Sequence, residues 1–143
     1  MEWSEEGLKK VILEVLTQLG GGNEEWKSRD PSGVLLLHPQ RVACEPFQGT
    51  EGVGVRDLTE LSEAPRMGAG VMEVERTAFP WTLTYDEFDV VVEGTLEIRV
   101  GERVYTGRPG DVFYIPKGTS ISFCSPDKAR YLYFVYPADW NKN

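Results

Sequence analysis

The stretch Gly110-Asp111-Val112-Phe113-Tyr114-Ile115-Pro116-Lys117-Gly118 decides the fold. A β-branched and aromatic run stands between a glycine and a proline-glycine turn, which reads as one short strand with a sharp turn at each end. Just upstream, Leu96, Ile98 and Val100 alternate with Thr95, Glu97 and Arg99, so this segment is a strand with one buried and one wet face. Gly101-Glu102 then offers a two-residue hairpin turn before Arg103, of type II′ because glycine comes first. Residues 34–37, 71–74, 88–92 and 131–136 are further short apolar runs, separated by Gly, Pro, Asp and Ser. No helical crossover separates them, which predicts an all-β sandwich or barrel and excludes a parallel α/β sheet.

The N-terminus follows another period. Leu8, Val11, Ile12, Val15, Leu16 and Leu19 recur at helical spacing, with Lys9, Lys10, Glu14 and Gln18 on the other side. Ser4 is placed to cap this amphipathic α-helix, and Gly20-Gly21-Gly22 ends it. The organisation expected is a helix over 1–20, a flexible linker over 21–32 and a barrel over 33–143. One domain with a tail suits the length of 143 residues. Fifteen Lys and Arg against 23 Asp and Glu give a net charge of −8, which argues against nucleic acid and anionic membrane as partners. Cys44 and Cys124 lie far apart, and no leader pattern opens the chain, so a cytoplasmic protein with free thiols is expected.

Glu87 stands seven residues before Gly94, and Gly110 to Gly118 carries glycine, proline and glycine at fixed spacing. This pair of motifs resembles the cupins, and the resemblance implies a double-stranded β-helix, a small jelly-roll barrel, behind the helical extension. Transferred position by position, the histidines of the cupin metal pattern fall on Trp81, Leu83 and Ile121, leaving Glu87 alone of the usual four ligands. One carboxylate does not hold a metal, so no metal site is expected, and iron-dependent oxygenase chemistry is argued against. The single histidine, His38, lies upstream beside Pro39 and is read as a surface or hydrogen-bonded residue.

Within the cupins, residues 79–89, Ile115-Pro116-Lys117-Gly118 and Tyr136-Pro137-Ala138-Asp139-Trp140 are similar to the ethanolamine-utilisation EutQ family. That resemblance implies a cytoplasmic protein of ethanolamine catabolism associated with a bacterial microcompartment. It also implies an acetate kinase activity, with ATP and Mg2+ as the accompanying small molecules. The residues themselves advertise no nucleotide site: no Gly-Lys-Ser/Thr follows a glycine loop, and Gly49, Gly52, Gly54, Gly68 and Gly70 are spaced like loops. The alternative is a non-catalytic cupin that serves microcompartment assembly or binds a small metabolite.

If the strand through Glu87 is regular, odd-numbered residues from Trp81 to Val91 face the barrel lumen. Glu87 and Asp89 are then the catalytic candidates, a close carboxylate pair with raised, coupled pKa values fit for acid–base work. Trp81, Leu83, Tyr85, Ile121 and Tyr133 are the residues expected to line the substrate. The plainer reading pairs the two acids with a tyrosine, or with Arg56 or Arg130. On the opposite parity Phe88, Val90 and Val92 make the outer face apolar, which predicts cover by a second copy in a homodimer, or by the N-terminal helix or residues 34–47 of the same chain. The helix itself is expected to dock on a microcompartment shell or cargo protein, with packing on its own barrel or on its dimer mate as the alternative.

Overall fold

The structure is a computed structural model that describes residues 24–140. The N-terminal helix, and the first part of the segment read as a linker, lie outside the described residues. The chain divides into two compact units between Val42 and Ala43, so the barrel unit begins ten residues later than the expected boundary at Gly33. In the first unit, β1 (Lys27–Arg29) pairs antiparallel with β2 (Leu35–Leu37), and a 3₁₀ turn follows at Pro39–Arg41. The stretch expected to be flexible linker therefore contains a strand. The Asp30 carboxylate accepts the Ser32 amide at 2.9 Å and closes the turn that joins the two strands.

The second unit is all-β, as the spacing of short apolar runs predicts. Its strands are β3 (Glu45–Phe47), β4 (Thr50–Asp57), β5 (Gly68–Thr82), β6 (Asp86–Gly94), β7 (Leu96–Val100), β8 (Arg103–Gly107), β9 (Val112–Ile115) and β10 (Ser120–Tyr136). They run antiparallel in the order β3-β4-β5-β10-β6-β9, and β7 joins β10 to β8. Gly52 and Gly54 fall within β4, and Gly68 and Gly70 within β5, so four of the glycines read as loop residues are strand residues. The hairpin forms as expected, with Val100 opposite Arg103 and Gly101 at φ 62°. Gly110 and Gly118, at φ 96° and 92°, make the left-handed turns that bracket β9 and that only glycine takes without strain.

Two long strands hold the barrel together. β10 pairs with β5 along nearly its whole length, with β7 over its first half and with β6 over its second. Both strands bend where their register slips between Ser125 and Lys128, opposite Arg76, which takes a left-handed φ of 47°. The bend exchanges the faces of β5: Met72 and Val74 reach the core before it, Phe79 after it. Pro80 lies in β5 without cost because β4 covers β5 only from Gly70 to Val74, so its other edge carries no ladder at that point. The core is the lumen, where Leu83, Leu96, Ile98, Phe123 and Tyr131 are buried.

Candidate functional site in the barrel lumen

β5 ends at Thr82 and β6 starts at Asp86, so the strand assumed to run unbroken through Glu87 turns at residues 83–85. The inward parity survives the turn. Leu83, Tyr85, Glu87, Asp89 and Val91 are all buried, and Trp81 is partly buried against the same core. Glu87 and Asp89 are 5% and 0% exposed, which places two acids in the lumen from one strand. Trp81, Leu83 and Ile121 fill the positions that correspond to the cupin histidines, and Ile121 sits opposite Trp81 in the β5–β10 ladder. Tyr133 sits opposite Asp89.

The acids meet each other, and neither reading of their partners from sequence holds for Asp89. Arg130 binds Glu73 at 3.0 Å, and Arg56 lies 3.7 Å from Glu45. Apart from the Glu87 carboxyl, no donor reaches either Asp89 oxygen. Its side-chain neighbour is the Glu87 carboxyl, and two ionised carboxylates cannot bond, so the contact requires a proton between them. Burial pushes Glu87 up to about 7, against the pull of its hydrogen bond with Asp89. Burial, the Glu87 charge and that same bond hold Asp89 well above the ordinary carboxyl range. The pair thus titrates as a unit and carries a proton near neutrality.

Aromatic rings wall the lumen beside the acids. The Trp81 indole N–H donates to the Tyr85 oxygen at 2.8 Å, leaving the Tyr85 proton to be donated in turn. Trp140 packs on Tyr85 at 4.8 Å, while Phe47 and Phe79 extend the wall behind Trp81. Tyr131 is fully buried and donates to the Met72 sulfur. Phe47 escaped the sequence reading because it lies outside the strands that carry the motif, whereas Trp140 entered it only as part of the C-terminal family resemblance and not as a site residue. Among the described residues no group of three or more His, Cys, Asp or Glu is placed to hold a metal ion. The two buried acids, Glu87 and Asp89, share a proton and so do not fit a magnesium ion.

The family model described as ethanolamine utilisation protein EutQ matches residues 2–142. The chain belongs to the EutQ family. It is 49% identical over 139 residues to the acetate kinase EutQ of Clostridioides difficile, covering 93% of this chain and 88% of that one. It is 41% identical over 110 residues to the acetate kinase EutQ of Salmonella typhimurium, of whose length the match spans only 48%. The solved Clostridium difficile EutQ structure superposes with a TM-score of 0.76 at 39% identity, over 82% of this chain and 90% of that one. A cupin domain of an Enterobacter cloacae transcriptional regulator shares the fold, with a TM-score of 0.54 at 13% identity over 60% of this chain and 97% of its own. The all-β cupin architecture, and membership of an ethanolamine-utilisation family, are therefore shown. No helix among the described residues is long and apolar enough to cross a membrane.

Proposed function

We propose that this EutQ-family cupin transfers a phosphoryl group between ATP and acetate, with Glu87 and Asp89 as the groups that receive the substrates. The observation that carries the reading is the pair of buried carboxyls, Glu87 and Asp89, set into the lumen from one strand, where cupins hold their ligands. The names of the relatives supply the reaction. An acetate oxygen attacks the γ-phosphorus, the bond to the ADP oxygen breaks, and the products are acetyl phosphate and ADP. The dyad proton hydrogen-bonds the acetate oxygen that does not attack, and the Tyr85 hydroxyl offers a second donor. No imidazole-ligated metal takes part. Formation of acetyl phosphate from acetate and ATP by the purified chain, trapped as the hydroxamate, tests this reading; no product above background at neutral pH sinks it.

The setting proposed is the cytoplasm, in association with a microcompartment reached through residues 1–20, whose apolar residues recur at helical spacing. The chain is further proposed to be a homodimer. Phe88, Val92, Val112, Tyr114 and Tyr136 are large apolar residues exposed on the outside of β6, β9 and β10, and Phe88 and Tyr114 meet with centroids 4.9 Å apart. That face also favours the second reading, a cupin whose part in the microcompartment is assembly.

A further inference from the structure

Asp57, Gly70, Tyr133, Asp89 and Phe113 form one row across the sheet, each opposite the next in the ladders of β4, β5, β10, β6 and β9. Opposed residues of antiparallel strands share a face, so Tyr133 stands between Gly70 and Asp89 on the same side. Asp89 is fully buried, and the Glu87 carboxyl is its one side-chain partner. A phenol on the adjoining strand is the natural group to satisfy it. Tyr133 turns the other way: its hydroxyl donates to Asp57 Oδ1 at 2.6 Å. Its ring lies directly on Gly70, where an added Cβ would collide with the phenol head. Any side chain at position 70 would forbid that course.

We infer that Asp57 and Gly70 are positioning residues that draw the Tyr133 hydroxyl away from Asp89 and so reserve Asp89 for the ligand. The inference rests on reading Glu87 and Asp89 as the ligand-facing pair. A buried acid without a donor costs more than one that is bonded. Were Asp89 merely structural, the phenol opposite it in the ladder would be free to relieve that cost. The other titratable groups about it are Glu87 on its own strand, Tyr85 before that strand and Tyr131 on β10. On its other side β9 presents Phe113, and beyond β10 the strand β5 carries Gly70 and Met72 opposite Tyr133 and Tyr131; Phe113, Gly70 and Met72 add no titrating group.

The test is a carbon-13 NMR titration of the Glu87 and Asp89 carboxyls in the full chain, beside acetate binding read by thermal shift. Asp57 is exposed, so Asp57→Ala should fold. It releases the hydroxyl to bond Asp89, which lowers the apparent pKa of the pair by about 1 and weakens acetate binding by about fivefold. Asp57→Ala combined with Tyr133→Phe removes the hydroxyl and returns the pair to its wild-type titration. Tyr133→Phe alone leaves the titration as it was. An unchanged pair in Asp57→Ala, or a single Tyr133→Phe change that moves it as far, overturns the inference. The titration needs no turnover, so it decides the point even if phosphoryl transfer is never seen. Turnover alongside an unmoved titration would keep the proposed function and remove this device.

Discussion

Trp81 donates its indole N–H to the phenol oxygen of Tyr85 at 2.8 Å, across the turn that divides β5 from β6. Trp140 closes on both, 6.1 Å from the Trp81 ring and 4.8 Å from Tyr85. The bond fixes the chain just before the acid pair. Tyr85→Phe leaves the partly buried indole without its acceptor and should cost about 1–2 kcal/mol in urea unfolding. Stability equal to wild type would show that the bond does not hold the turn.

The titration of the pair sets a pH dependence whose sign is opposite to that of most acids in proteins. Glu87 binds its proton more tightly folded than unfolded, because burial raises it from 4.5 to about 7. The contribution is fully present below pH 4.5 and is lost as pH climbs through the folded value, so stability falls by roughly 3 kcal/mol across that window. Glu87→Gln has no proton to lose. Its melting temperature should change less between pH 5 and pH 8 and should exceed the wild-type value at pH 8. Parallel melting curves for the two chains would contradict this account.

Loss of the shared proton should also stop chemistry. Glu87→Gln and Asp89→Asn keep shape but abolish the acid–carboxylate pair, and each should lower kcat/KM for acetate by about 100-fold or more. Circular dichroism should show the barrel retained. Full turnover in both amides would leave the two acids structural.

How far the sequence showed this site depends on whether a feature obeys a local rule. The β7–β8 hairpin and the bracketed strand β9 were readable because Gly101, Gly110 and Gly118 announce their own turns. The inward set from Leu83 to Val91 was readable because a period of two survived the break at residues 83–85. β5 and β10 were recognised only in part, at 71–74 and 131–136. The glycines that open β5 resemble loop residues, and Ser125-Pro126-Asp127 resembles a turn when it is the bulge of a continuous strand. β1 was missed because only Trp26 broke an otherwise polar stretch. The hydrogen bond from Tyr133 to Asp57 joins residues 76 apart in sequence, and no pattern along one chain encodes it.

The outward face of β6 gives a prediction about mass. Light scattering should report two 16.1 kDa chains per particle, and Phe88→Asp should return it to one. A wild-type monomer rejects the dimer.

At the bend of β5, Arg76 holds φ 47° where glycine would rest unstrained. Its ion pair with Asp127, at 3.8 Å and largely in water, offsets little. Arg76→Gly should therefore be neutral or stabilise by up to about 1 kcal/mol, whereas Arg76→Val should destabilise by more than about 1 kcal/mol in urea unfolding. A large loss on Arg76→Gly would mean that the guanidinium, not the backbone, matters there.

The strand that pairs with β5, β6 and β7 follows all three along the chain. Until residues 120–136 leave the ribosome, those three strands have no common neighbour and stand as open edges. Nearly every contact that closes the barrel joins residues distant in sequence, so folding waits on residues 120–136 and should be slow for a domain of this size. A product truncated before Ser120 exposes three sticky edges at once, which makes it a substrate for chaperones and proteases rather than a partly working barrel.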